Sequence, residues 1–328
     1  MAPQRPTLKT IAQLSGLAVP TVSRALNDAA DIRAETKALV RKIADEIGYV
    51  PNRAGVRLRT GRTNVISLVL ATQHDNHTAR LISSIAQALE GTGYHLNVTP
   101  YTANGDIMKP IRYIVETGSA DGIILNQIEP HDPRIAYLMD RKFPFAAHGR
   151  SLDAKNYAYY DFDNAAYGAG AVHVLAERDR TRIAAVVPPL RQTYSLMMVE
   201  AMDRAARDKG VLLTKIDGAD SDAPVVQIVA AVQEHLQHNP DTDAIITASA
   251  GAALSAISAV ERSGRVVGKD VDVFTKEALP FLRLVREDIL AVSESISDAG
   301  SFLARAALQA VQSPEMPPMQ FLETPDFG

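Results

Sequence analysis

Apolar residues in the first fifty positions recur at helical spacing in three short runs; from Asn64 the pattern switches to brief apolar runs alternating with amphipathic stretches. In "LKTIAQLSG", Leu8, Ile11 and Ala12 share a helical face, Thr7 stands before them as a cap, and Gly16 follows where a tight turn needs positive φ. "VPTVSRALN" sets Val22 and Leu26 one turn apart as core positions and places Pro20 in a first turn, where its missing N–H costs nothing. "AETKALVRKIADEIGY" aligns Leu39, Val40, Ile43, Ala44 and Ile47 on one stripe and ends at Gly48. Two short helices turned through a glycine and braced by a third predict a helix-turn-helix domain over residues 1–50. Residues 51–63 read as a hinge helix and linker: Asn52 to Arg59 has too few apolar residues and is too short for a helix stable by itself, so its folding is coupled to something else.

Over residues 64–328, "NVISLVLA", "YHLNVTPY", "ADGIILNQ" and "FPFAAHGR" read as buried strands separated by helical stretches, and after "YYDFDNAAYG" the cycle resumes with "RIAAVVPP", "VLLTKIDG", "DAIITAS" and "VDVFTKE". Two successive sets of βαβ units predict an α/β body with two parallel-sheet lobes.

Charge sharpens the division. Residues 1–63 hold 11 Lys or Arg against 5 Asp or Glu, so a head of net +6 precedes a body of net −10. A basic head on an acidic body suits a polyanion partner for the head alone, although a solvated basic face would look the same. The chain has 328 residues and no cysteine, which excludes disulfides and thiolate metal sites and fits a reducing cytoplasm. No run approaches a membrane span, and "MAPQRPTLKT" lacks the apolar centre of a signal peptide, so neither membrane insertion nor export is expected.

Thr7, Leu8, Ile11, Ala12, Gly16, Leu17, Thr21, Val22, Ser23, Arg24, Leu26 and Asn27, continuing into "IGYVPNRAGVRLRTGRT", resemble the signature of the lactose repressor (LacI/GalR) family of transcriptional regulators. On a recognition helix Val19–Asn27, Arg24 can pair with a guanine edge, Thr21, Ser23 and Asn27 can reach phosphates or bases, and Val19 with Pro20 offer apolar contact to a thymine methyl. The resemblance implies further DNA contacts at Leu8, Tyr49, Asn52, Arg53, Gly55 and Arg57, with Leu58 as a minor-groove wedge. Two departures stand out. Ala18 replaces the usual capping serine, at a cost of about 1 kcal/mol, and Arg33 stands where another cap is usual but can serve as a phosphate contact. Gly55 for the usual alanine costs the hinge helix about 1 kcal/mol more.

The body resembles the family's effector domain, a relative of periplasmic sugar-binding proteins, with ligand in a cleft at the carboxyl ends of strands. The polar residues following the strands are Asp75, Asn76, His77, Tyr101, Asn126, His148, Arg150, Asp161, Asp163, Tyr194, Ser249, Lys276 and Glu294. Each alone reads equally as a surface loop; together they favour a polar ligand whose hydroxyls need partners. Asp161 and Asp163 are read as alternates on one strand face. His77-Thr78, Met198, Ser249-Ala250 and Thr275-Lys276-Glu277 depart from the family's usual contacts, so these cannot be transferred from lactose, galactose or purine repressors. "TPY", "RYIVETGSADGII", "PFAAHGR" and "YDFDN" resemble the alphaproteobacterial branch responding to α-glucosides, which implies a disaccharide such as sucrose.

Other chemistries fit less well. "GAGAVH" at Gly168 lacks the third glycine of a dinucleotide loop, and the spacings His74/His77 and His235/His238 lack a third metal ligand. No catalytic residues, cofactor or metal are expected. The reading is a homodimeric repressor on a pseudo-palindromic operator in double-stranded DNA, released by a sugar; ligand-strengthened DNA binding, a solute-binding protein and a sugar-processing enzyme are its rivals. "SPEMPPMQFLETPDFG" holds no leucine heptads, so no C-terminal coiled-coil tetramer is expected.

Overall fold

The computed structural model describes residues 6–49, 61–71, 76–102, 105–277 and 281–327. The chain divides into two compact units, Met1–Thr63 and Asn64–Gly328. The hinge candidates Asn52, Arg53, Gly55, Arg57 and Leu58, together with Asp75 and the Asn76 side chain, lie outside the described residues.

In the first unit, α1 (Leu8–Ser15) begins at a reciprocal cap: the Thr7 hydroxyl accepts from Thr10 N, and the Thr10 hydroxyl accepts from Thr7 N. Gly16 closes it at φ +69°, a conformation a Cβ would strain. α2 (Val19–Leu26) starts at Ala18 and α3 (Ala34–Glu46) at Arg33, both without a side-chain cap. The core gathers Ile11, Val22, Ala25, Val40, Ile43 and Ala44, with Leu8, Leu17, Leu26, Ile47 and Tyr49 packed around it. Leu39, expected on the inner stripe, is instead 45% exposed. At 100° per residue it falls about a quarter turn from the centre of the stripe that Val40, Ile43, Ala44 and Ile47 define.

The second unit carries two parallel sheets. Its strands are β1 (Val65–Ala71), β2 (His95–Tyr101), β3 (Gly122–Leu125), β4 (Phe145–His148), β5 (Ala158–Phe162), β6 (Arg182–Val186), β7 (Leu212–Lys215), β8 (Ala244–Thr247), β9 (Asp272–Glu277), β10 (Leu290–Ser293) and β11 (Gln320–Glu323). One sheet runs β11-β5-β4-β3-β1-β2 and the other β10-β9-β8-β6-β7. The helices are α4 (Asn76–Leu89), α5 (Met108–Thr117), α6 (Pro133–Asp140), α7 (Asn164–Glu177), α8 (Thr193–Lys209), α9 (Val225–His238), α10 (Ala250–Arg262), α11 (Leu282–Val285) and α12 (Ile296–Gln312).

The lobes are interleaved along the chain. After β5 the chain leaves the first sheet, and α7 packs Tyr167, Ala171, Val172 and Leu175 into the second lobe with Ile183 and Ala185. After β10 it returns, and α12 buries Leu303 and Ala307 beside Ile66 and Leu68 of the first. β11 then pairs with β5, Tyr159 aligned with Gln320, and Phe327 lies against Phe274 of the second lobe. The glycines of "GAGAVH" serve this packing: a methyl on Gly168 would come within 2.5 Å of the Met198 carbonyl oxygen on α8, and one on Gly170 would meet the Phe327 ring. Their spacing lets two helices and the C-terminal segment approach closely.

Candidate functional site

In the head, α2 presents Pro20 and Arg24 to solvent, while Val19, Thr21 and Ser23 are half-buried. The Arg24 guanidinium is held by Asp31 in an exposed ion pair. Asn27 ends the helix, its side-chain amide donating to the Ser23 carbonyl oxygen. Leu8 and Tyr49 are half-buried against the core, and burial raises the Tyr49 pKa. Arg33 is exposed at the start of α3.

In the body, strand ends from both sheets line a cavity of about 690 Å3. His77, Asn126, His148, Arg150, Asp161, Tyr194, Ser249, Lys276 and Glu294 all border it. Parallel strands put their carboxyl ends on one side, so residues remote in sequence converge there.

Four of the charged side chains at the cavity form two ion pairs. Arg150 Nε lies 2.9 Å from Asp161 Oδ2, and Lys276 Nζ lies 2.9 Å from Glu294 Oε2. Burial pushes the Asp161 carboxyl up to about 7, in spite of the pull of Arg150 and Lys276. Burial also opposes ionisation of Glu294, but Lys276, His77 and His148 hold its carboxyl well below the usual range. Lys276 Nζ donates to Asn164 Oδ1 at 2.9 Å and sits 5.0 and 5.4 Å from the Phe162 and Tyr194 ring centroids, so the ammonium is enclosed by a carboxylate, an amide and two aromatic rings.

His148 Nδ1 is 3.2 Å from Asn126 Oδ1, and its ring stacks on His77 with centroids 5.4 Å apart and planes 24° apart. Burial, reinforced by His77 and opposed by Glu294, draws the His148 pKa down to about 3. His77, His148 and Glu294 bring possible metal-ligand atoms within 4.8 Å of one another. Near-parallel imidazole planes do not converge on one ion, however, and Glu294 is already engaged by Lys276; the geometry suits hydroxyl groups better.

Three expected cleft residues serve elsewhere or differently. Tyr101 lies behind the cavity, its hydroxyl accepting from Arg134 Nη1 at 3.3 Å. Arg134 is 1% exposed and binds Asp132 through two nitrogens, with further hydrogen bonds to the Asn126 and Gln127 carbonyls, so it braces the loop that presents Asn126. Asp163 does not share a face with Asp161: β5 ends at Phe162, and Asp163 caps α7 by accepting from Ala166 N. Ser249 borders the cavity, but its hydroxyl caps α10 by accepting from Ala252 N. The sequence reading missed Gln192, Phe162 and Asn164 among the lining residues. Gln192 and Asn164 sit at helix starts and Phe162 at a strand end, positions that signal a cleft in this topology once the strand order is known.

The family model described as bacterial regulatory proteins, lacI family, matches residues 7–52. The one described as periplasmic binding proteins and sugar binding domain of LacI family matches residues 63–315. HTH-type transcriptional regulator AglR of Rhizobium meliloti (strain 1021) is 30% identical over 282 residues, covering 84% of this chain and 79% of that one. HTH-type transcriptional regulator CelR of Thermobifida fusca is 26% identical over 98% of this chain and 96% of its own length. Among solved structures, the lac repressor dimer bound to operator and the anti-inducer ONPF aligns with a TM-score of 0.86 at 17% identity, covering 98% of this chain and 97% of that one. The transcriptional regulator CelR–cellobiose complex aligns at 0.70 and 24% identity, covering 98% of each chain. Both structures share the fold.

Proposed function

The chain belongs to the LacI family of bacterial regulatory proteins, and on that premise we propose that it is a transcriptional repressor whose hold on operator DNA is released by an uncharged sugar. The observation that carries the proposal is the joining, in one chain, of a helix-turn-helix head with exposed Arg24 and a polar cleft in which Arg150 pairs with Asp161 and Lys276 with Glu294. Arg24 reads a guanine edge, Pro20 and Val19 meet a thymine methyl, and Leu58 of the hinge is the wedge that enters the minor groove, paired with that of a second copy of the chain. A neutral ligand leaves both cleft ion pairs intact, whereas a sugar acid or phosphate would compete with Asp161 and Glu294 for their cations. A cavity of about 690 Å3 lies well within the range of small-molecule sites and has room for two sugar rings. A disaccharide, with α-glucosides such as sucrose first, agrees with the resemblance carried by "PFAAHGR" and "YDFDN" and with the cellobiose of the CelR complex.

The test is fluorescence anisotropy on the DNA upstream of the protein's own gene, across salt concentrations and with a panel of mono- and disaccharides. Salt-sensitive binding weakened by one sugar is the expected outcome. DNA binding that is absent would overturn the proposal; tightening by sugar would reverse the sign of control.

A further inference from the structure

Gln192 is 1% exposed, yet neither its amide oxygen nor its amide nitrogen has a hydrogen-bond partner among the described residues. Such a pair of orphaned groups is costly in a folded protein and calls for a partner the chain itself does not supply. The side chain borders the cavity, at the N-cap of α8, where it makes no capping bond. Its neighbour fixes its place. Thr193 donates to the Ile128 carbonyl oxygen both from its backbone N, at 2.9 Å, and from its hydroxyl, at 3.1 Å. Ile128 follows β3 in the first lobe and α8 belongs to the second, so Gln192 stands at the seam between lobes. Arg150, Asp161, Lys276 and Glu294 are drawn into ion pairs, whereas this buried cleft amide has neither its donor nor its acceptor matched by a hydrogen bond among the described residues.

We propose that Gln192 is the specificity-determining residue of the cleft, its amide oxygen accepting from one hydroxyl and its amide nitrogen donating to the neighbouring hydroxyl of the same sugar ring. A side-by-side acceptor and donor matches two adjacent hydroxyls of a ring held in one orientation, and inverting or removing either hydroxyl leaves one of the amide's polar atoms unpaired. Leaving that amide unpaired against the wrong isomer is a stronger source of discrimination than apolar shape. The inference rests on the sugar-effector reading and names the residue that reads the ring.

The experiment compares wild type with Gln192→Met, which keeps the volume and removes both polar atoms, using calorimetric titration with sucrose and maltose, whose glucosyl 4-hydroxyl is equatorial, and with lactose and melibiose, whose galactosyl 4-hydroxyl is axial, and thermal unfolding without sugar. Q192M should unfold at the wild-type temperature or above, because an orphaned buried amide has been removed. It should bind the preferred disaccharide at least about tenfold more weakly and lose most of the spread of affinities among the four isomers. Unchanged affinity for a sugar that wild type binds, or an equal loss for every isomer, would overturn the role of Gln192 while leaving the sugar reading intact. Wild type binding none of a wide sugar panel would overturn both. Should Q192M fail to fold, Gln192→Asn, which retracts the same amide, is expected to show the same loss of affinity and of discrimination; wild-type values there would overturn the proposal.

Discussion

Arg24 and His148 show how a single side chain's surroundings set its role. The Arg24–Asp31 pair is exposed, 57% and 54% for the two side chains, so it is worth less than about 1 kcal/mol and yields readily to a guanine edge. Arg24→Ala is expected to weaken operator binding by about 1–3 kcal/mol and to relax preference at one base pair, read by anisotropy on single-base operator variants. Uniform weakening on every sequence would make Arg24 a phosphate contact instead. His148 faces His77, Glu294 and Lys276 and stays neutral down to about pH 3, against an ordinary 6.5. Between those values the unfolded chain binds the extra proton, so this group's contribution to stability declines as pH falls through that window. His148→Gln should therefore lose less stability than wild type between about pH 7 and pH 5, by on the order of 2 kcal/mol in urea unfolding. Asp161 works in the opposite sense. Its raised pKa of about 7 favours the folded state below the ordinary 3.8, and that contribution is lost as pH rises through 7, so each variant is compared with wild type separately.

Helix ends and helix contacts govern the next scale. α2 lacks a cap because Ala18 offers no acceptor, although its backbone, at φ −67° and ψ 144°, is already extended as a cap requires. Ala18→Ser should stabilise α2 by about 1 kcal/mol, seen as roughly fivefold slower hydrogen exchange of its amides; unchanged exchange would mean that the serine finds no N–H. α7 and α8 approach closely at Gly168, whereas Gly251, within α10, has open space around it. Gly168→Ala is expected to destabilise by about 1–3 kcal/mol, and Gly251→Ala to be neutral or to stabilise by up to about 1 kcal/mol. Equal urea midpoints for the two variants would count against the close approach. At this scale the sequence was readable: capping threonine, turn glycine, first-turn proline and the apolar stripes each act within one or two helical turns. Leu39 and Asp163 were misplaced because a quarter turn of helix, or one residue of strand end, depends on what packs opposite.

For the whole molecule, the proposal couples a sugar in the cleft to DNA at the head, and such coupling must be reciprocal. The factor by which saturating sugar weakens operator binding, expected at about 5–150-fold, should equal the factor by which operator weakens sugar binding; calorimetry with and without operator checks it, and unequal factors would mean the two ligands do not share one equilibrium. Among the described residues no helix is long and apolar enough to cross a membrane. By itself the sequence determined the helices of the head, the alternation of strands and helices in the body, the charge division and most of the cleft's polar residues, because periodicity, caps and strand ends are local signals. Only the tertiary structure decided that β11 and α12 return to the first sheet, that Arg150 pairs with Asp161 and Lys276 with Glu294, that Tyr101 stands behind the cavity, and that Gln192 is buried with its amide unmatched. Those are contacts between residues far apart in the chain. Their energies depend on burial and mutual orientation, which no local pattern of side chains encodes.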